Sequence, residues 1–133
     1  MSQENVELVR RCYGMLANRD FSAIPEVIDP DFVLDLSRNV FNPGVHRGVD
    51  GIARFVQQID EMWGKFEVEL EEFIDGGDAV VVAVRISGMG RGSGATADMR
   101  VFNVWTLRDG KVIRLTGGYR DRAEALEAAG LSE

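Results

Sequence analysis

The sequence predicts an α+β fold in which a curved antiparallel or mixed sheet wraps around N-terminal helices and leaves a pocket at its open end. Two observations predict it. The first half of the chain has apolar residues at the spacing of amphipathic helices. The last third alternates apolar and polar residues on either side of the turn Arg108-Asp109-Gly110, as a β-hairpin does. Helices followed by a long sheet can share one core if the sheet curls around them.

Four helices are predicted, two before the first strand, one between the first and second strands, and one after the last strand. Their ranges are Glu4–Ala17, Phe21–Ile28, Asp50–Trp63 and Asp121–Ala129. In the first helix Val6, Val9 and Tyr13 fall on one face, which indicates the side that is buried. The last helix has a capping residue at Asp121 and a glycine, Gly130, at its C-terminal end.

Five strands are predicted, each from an alternation of apolar and polar residues or from a valine-rich run. Their ranges are Asp31–Ser37, Phe66–Ile74, Ala79–Ser87, Met99–Leu107 and Lys111–Tyr119. Residues 38–49 are expected to form a loop, because they contain Pro43, Gly44 and Gly48 without a clear period. The glycine-rich tract 88–94 is expected to be a mobile hairpin connection.

Length and charge limit the class of protein. The 133 residues are enough for a single domain, residues 1–133, with its own core. A net charge of −7 argues against binding to nucleic acid. No segment approaches the roughly 20 apolar residues that cross a membrane, and the polar, acidic start is unlike a signal peptide. The single Cys12 excludes an internal disulfide, which is typical of a cytoplasmic protein. Together, these observations lead us to expect a cytoplasmic protein without nucleic-acid or membrane partners.

Four short motifs carry a resemblance to a known family. They are Asp29-Pro30-Asp31-Phe32, His46-Arg47-Gly48, Asp109-Gly110-Lys111-Val112 and the segment 119–126 that begins Tyr119-Arg120-Asp121-Arg122. With the order of elements, they resemble the SnoaL-like branch of the nuclear transport factor 2-like superfamily, which includes ketosteroid isomerase and limonene epoxide hydrolase. The resemblance implies a cone-shaped α+β barrel, an apolar pocket on the concave face of the sheet, and a homodimer formed through the outer face.

The resemblance to the isomerase places Asn103 inside the pocket. Its amide could polarise a ligand carbonyl. Strand alternation and the helix stripes then predict the other ligand-binding residues. These are Tyr13, Leu36, Phe55, Trp63, Val84, Val101, Trp105, Leu115 and Tyr119. The opposite face carries Asp98 and Arg100, which we interpret as a surface or interface ion pair.

The candidate catalytic residues are Asp35, His46 and Asn103. In ketosteroid isomerase a carboxylate base works with two hydrogen-bond donors. The matching positions here are Leu36 for the base and Cys12 and Asn103 for the donors, so that constellation is not reproduced. Asp35 is the only nearby acid, although alternation favours the outer face for it. His46 is either a base above the pocket or a loop histidine bonded to backbone.

The expected function is binding of a small apolar molecule. If the protein catalyses, the expected reaction is cofactor-independent isomerisation or cyclisation of a hydrophobic carbonyl compound. The alternatives are non-catalytic binding of a hydrophobic ligand and a protein-interaction or dimerisation module. We expect no cofactor, and a single histidine excludes a multi-histidine metal site.

Overall fold

A computed structural model describes residues 2–131, with side chains from residue 3 onward. It contains four helices and six strands in these residues. In chain order they are α1 (Ser2–Asn18), α2 (Ile24–Val27), β1 (Ile28–Asp35), β2 (Val45–Arg47), α3 (Gly48–Met62), β3 (Trp63–Asp75), β4 (Ala79–Gly90), β5 (Thr96–Arg108), β6 (Lys111–Tyr119) and α4 (Arg122–Ala128). No helix of the described residues is long and apolar enough to cross a membrane.

The six strands form one mixed sheet in the order β2-β1-β6-β5-β4-β3. The β1–β6 pair is parallel, and the other neighbours are antiparallel. Helix α3 contacts β1 and β2 near one edge of the sheet and β3 at the other edge. The main contacts of α3 are with these edge strands rather than with the middle strands β4, β5 and β6, which requires the sheet to curve around the helix. The predicted α+β fold, a curved sheet wrapped around N-terminal helices, is therefore confirmed, and the sheet remains unclosed.

Some predicted boundaries differ from the structure. The expected loop 38–49 contains β2, which pairs with β1 through Leu34 and His46. Three residues are too few to show a strand period, so only the pairing reveals this strand. The predicted helix 21–28 shrinks to α2, and α3 ends at Met62, where β3 starts without a loop.

The glycine-rich tract is shorter as a connection than expected, because β4 continues to Gly90. Gly88 lies in the strand against the indole of Trp63. A Cβ at position 88 would be 2.8 Å from a ring carbon of Trp63. This glycine therefore allows the close approach of Trp63, a packing role that a hairpin interpretation misses.

The sheet has a core on each face. The concave core joins α1, α2 and α3 to inward-facing strand residues such as Leu34, Val84 and Val101. The smaller convex core joins Val81 and Phe102 to α4. Strand β4 contributes valines to both cores, which explains why its Val-rich run shows no polar alternation.

A register shift in β6 places Tyr119 on the convex face. Phe102 pairs with Tyr119 while Val104 pairs with Thr116, so β6 has an extra residue in this stretch. Gly118 has a φ of +89°, which glycine adopts readily. The extra residue reverses the alternation, and Tyr119 packs with Phe102 in the convex core. The prediction that Tyr119 lines the pocket is corrected by this bulge.

Gly118 is expected to be intolerant of a side chain. A Cβ at Gly118 would be 3.0 Å from the backbone carbon of Arg38 and from the backbone nitrogen of Asn39, and 2.5 Å from Oδ1 of Asn39. One at Gly77, with a similar φ of +83°, would meet nothing within 4 Å. The positive φ alone costs an alanine roughly 1–2 kcal/mol. Because Gly118→Ala adds a steric clash, it should lower the free energy of unfolding by at least about 1 kcal/mol more than Gly77→Ala in urea titrations. Equal losses in the two variants would show that the Asn39 contact does not constrain position 118.

Candidate functional site

A cavity of about 180 Å³ lies between the concave face of the sheet and α1, α2 and α3. Most of the predicted ligand-binding residues line it. They are Tyr13, Leu36, Phe55, Trp63, Val84, Val101, Trp105 and Leu115, together with Asn103. An apolar cavity of about 150 Å³ holds benzene, and drug-sized pockets measure roughly 300–1,000 Å³. The space thus suits a compact molecule of one or two rings.

A three-residue polar cluster lies in this apolar wall. Asn103 and Trp105 are two positions apart on β5, so their side chains share the concave face. Asn103 Nδ2 donates to the hydroxyl of Tyr13 over 2.9 Å, and Trp105 Nε1 donates to the same oxygen over 3.0 Å. The Tyr13 and Trp105 rings also pack edge to face, with centroids 5.1 Å apart. Tyr13 of α1 is therefore held against the sheet by two hydrogen bonds and a ring contact.

The two donors leave the Tyr13 proton uncommitted. A phenol oxygen has two lone pairs and one proton. Both N–H groups point at the oxygen, and the proton has no acceptor among residues 2–131. Burial raises the pKa of Tyr13, and the hydrogen bonds from Asn103 and Trp105 only partly offset it. Tyr13 consequently stays protonated at neutral pH, and its O–H group remains available as a hydrogen-bond donor.

Asp35 lies outside the cavity. Leu34 and Leu36 line it, so the intervening Asp35 points to the other face of β1. Its carboxylate accepts from the hydroxyl of Ser37 at 2.6 Å and from Arg114 at 2.7 Å. Hydrogen bonds from Ser37, and then Arg114, hold the pKa of Asp35 below its usual value. The carboxylate is ionised but does not face the cavity, so its position gives no support to the predicted role as base.

His46 lies on β2 beneath α3 and does not line the cavity. It is 8% exposed, and its Nε2 has no hydrogen-bond partner among the described residues. Gly51 allows the close packing, since a Cβ there would be 2.8 Å from the carbonyl carbon of His46. Burial, and then the charge of Arg54, lowers the pKa of His46. Neither interpretation from the sequence describes this buried imidazole, whose ring packs near Phe55.

The mouth of the cavity, defined by the exposed lining residues Val40, Phe41 and Arg120, was not predicted from the sequence. Phe41 packs edge to face on Trp63, with ring centroids 5.4 Å apart. Asn39 and Asn42 line the cavity in the same loop. These residues lie in segments without a regular period, so alternation could not find them. The only available signal was two large apolar residues exposed in a loop otherwise rich in turn formers.

Asp98 and Arg100 lie on the outer face, as expected, but they do not pair with each other. Asp98 pairs with Arg85 across β4 and β5 at 2.8 Å. Arg100 pairs with Glu71 of β3 at 2.7 Å. Asp98 pairs with a cation on the adjacent strand β4, where cross-strand neighbours are close, whereas Arg100 extends across β4 to reach Glu71 on β3.

Comparison with known proteins identifies the family. A family model described as the SnoaL-like domain matches residues 9–115. The chain belongs to the SnoaL-like family. No curated protein matches its sequence.

Solved structures agree with this SnoaL-like fold. A nuclear transport factor 2-like protein from Burkholderia xenovorans LB400 is 23% identical with a TM-score of 0.78, and covers 97% of this chain and 98% of its own. A provisionally assigned SnoaL-like polyketide cyclase from Jannaschia sp. CCS1 is 24% identical with a TM-score of 0.73, and the match covers 88% of this chain and 85% of the cyclase. TerC, co-crystallised with polyporic acid, is 26% identical with a TM-score of 0.74, and the match covers 96% of this chain and 98% of TerC.

The cavity of this SnoaL-like domain offers donors and apolar surface rather than a base. The described lining residues include no Asp, Glu or His, and their weakly acidic groups are the Cys12 thiol and the Tyr13 hydroxyl. Burial raises the pKa of the Cys12 thiol to about 12. Residues 2–131 contain no group of three or more side chains placed to hold a metal ion. The arrangement can therefore orient and polarise an acceptor atom, with no lining carboxylate or imidazole to take up a proton.

Removing the Tyr13 hydroxyl should destabilise the domain. Tyr13→Phe leaves the N–H groups of Asn103 and Trp105 without their acceptor, which costs roughly 1–3 kcal/mol in the free energy of unfolding. Tyr119→Phe is the matched control, because no described residue bonds to its hydroxyl, and should change stability by less than about 0.5 kcal/mol. Urea unfolding measures both, and a Tyr13→Phe loss no larger than the control would contradict the cluster.

His46 should make stability fall as the solution becomes more acidic. In the unfolded chain His46 takes up a proton near its ordinary pKa of about 6.5, whereas burial keeps it neutral to lower pH in the folded state. The unfolded state therefore binds more protons below this pKa, and stability present at about pH 7.5 decreases toward about pH 5.5. His46 is the only histidine, so His46→Gln should reduce this decrease. An identical decrease in the variant, measured by urea unfolding at both pH values, would assign the effect to other groups.

Proposed function

We propose that this SnoaL-like domain binds a compact, mostly apolar molecule whose carbonyl oxygen accepts a hydrogen bond from the Tyr13 hydroxyl. The observation that carries the proposal is the geometry of the Tyr13 hydroxyl. It receives two N–H donors at 2.9 and 3.0 Å and keeps its proton free in an otherwise apolar cavity. A ligand atom that accepts a hydrogen bond, such as a carbonyl oxygen, would pair with that O–H group.

The apolar lining and the polar cluster have different roles in this proposal. Burying apolar ligand surface contributes about 25 cal/mol per Å², so the walls supply most of the affinity. The hydroxyl supplies selectivity, because a hydrocarbon of the same shape displaces solvent from Tyr13 without replacing its hydrogen bond. An unsatisfied polar group of this kind costs roughly 1–3 kcal/mol. The site should therefore prefer a ketone over the matching hydrocarbon.

Cofactor-independent isomerisation or cyclisation of the bound carbonyl compound is a second candidate. The two hydrogen bonds that Tyr13 receives favour it, since they strengthen the hydroxyl as a donor to an oxygen that gains negative charge. In that reaction the proton acceptor is a group other than the described lining side chains. Ligand binding without turnover would leave carrier or sensor as the function.

The homodimer and the cytoplasmic location expected from the sequence belong to the same proposal. The outer face of the sheet, covered in part by α4, is the surface proposed for the partner copy. It carries the ion pairs of Arg85 with Asp98 and of Arg100 with Glu71. The one thiol, Cys12, is free, which suits a reducing compartment.

The preference for a carbonyl group can be measured with α-tetralone and tetralin, which share a two-ring shape and differ by one oxygen. The native protein should bind the ketone roughly tenfold more tightly, since one hydrogen bond is worth about 1 kcal/mol or more here. Tyr13→Phe should remove that preference, because it removes the donor, and Asn103→Leu should reduce it, because Tyr13 then keeps only the hydrogen bond from Trp105. Isothermal titration calorimetry gives the affinity of each protein for the two ligands.

Arg100→Ala is the control, since Arg100 pairs with Glu71 on the outer face and does not line the cavity. It should retain the native preference. Equal binding of ketone and hydrocarbon by the native protein would reject the role of Tyr13. No binding of either would favour an interaction module.

A further inference from the structure

Arg120 is the one charged side chain among the described residues that line the cavity. It follows the last residue of β6 directly and is exposed at the mouth, beside the loop that carries Val40 and Phe41. The net charge of the chain is −7, so a cation at this opening differs in sign from the protein as a whole. An exposed arginine would be unremarkable elsewhere on the surface, but here it borders the ligand site.

Most arginines of the described residues already have partners. Those paired with a carboxylate are Arg11, Arg19, Arg38, Arg85, Arg100, Arg114 and Arg122. Arg38, close to the mouth, is held by Glu124 and by the ring of Tyr119, 4.4 Å from its guanidinium. Arg120 has no hydrogen bond or ion pair within residues 2–131. Its guanidinium is therefore available to a ligand while that of Arg38 is not.

A carboxylate on the ligand suits this arrangement. An ionised carboxylate loses several kcal/mol of hydration in an apolar interior, so it must stay at the mouth while the rings enter. A guanidinium binds a carboxylate with two parallel hydrogen bonds and remains charged at every physiological pH. The half-buried Asn39 and Asn42 line the same opening and add amide groups.

We infer that Arg120 is an anion subsite at the cavity mouth, and that the natural ligand is an apolar carbonyl compound with a carboxylate at one end. The carboxylate binds Arg120 at the mouth, and the carbonyl binds Tyr13 deeper in the cavity. This inference rests on the proposed function, because it adds a second anchor to the same bound molecule. It narrows the ligand from any small ketone to a keto acid with an apolar body.

The test uses benzoylpropionate, which has a phenyl ring, a ketone and a carboxylate, against its methyl ester at about pH 7.5. Calorimetry on the full chain should show the acid binding roughly tenfold more tightly than the ester, as expected for a charge-assisted contact that is partly solvated. Arg120→Gln should remove this difference by weakening the binding of the acid much more than that of the ester.

Arg108→Gln is the matched control, because Arg108 is exposed at the end of β5 and does not line the cavity, and the substitution changes the net charge equally. It should keep the tenfold difference. If the native protein binds acid and ester equally, or if both variants lose the difference together, the subsite is rejected. Binding of α-tetralone in that case shows that the proposed function stands without the subsite, whereas failure of α-tetralone to bind rejects both.

Discussion

The contact of α3 with both edges of the sheet is the constraint on which the rest of the structure depends. This helix contacts the edge strands β1, β2 and β3 rather than the middle of the sheet, so the sheet must curve around it. Curvature gives the sheet a concave face, and that face brings Leu34, Val84 and Val101 around a common space. The helices cover this space without filling it. The cavity is thus a consequence of how the layers meet rather than of any one residue.

The sequence could predict whatever depends on a regular period. Alternation along β5 placed Asn103, Val101 and Trp105 together, because a strand keeps its two faces as long as its pairing is regular. The same reasoning placed Tyr119 on the wrong face, since the Gly117-Gly118 bulge adds a residue that no apolar pattern reports. The strand β2 was also missed, because three residues gain their structure from pairing with β1 rather than from local preference.

The candidate site divides in the same way. Its walls follow from periodicity, whereas its chemistry depends on which atoms approach one another across long stretches of sequence. Tyr13 and Asn103 were both predicted to be near the pocket, but the sharing of one hydroxyl by Asn103 and Trp105 needs the angle between α1 and the sheet. Asp35 and His46 show the converse. Both are titratable residues near cavity-lining positions in the sequence. Packing turns Asp35 toward the outer face of the sheet and buries His46 beneath α3.

The parallel pairing of β1 with β6 has a consequence for how this protein folds. Leu34 lies beside Leu115, so a strand from the first third of the chain adds to the sheet only when the last strand is present. Such distant pairing is slow, because a long loop must close before any contact compensates for its entropy. During synthesis the N-terminal helices therefore emerge from the ribosome before most of the surface that they cover. The face of α1 that carries Tyr13 lacks its partners Asn103 and Trp105 until β5 has emerged, and this interval of incomplete burial favours aggregation.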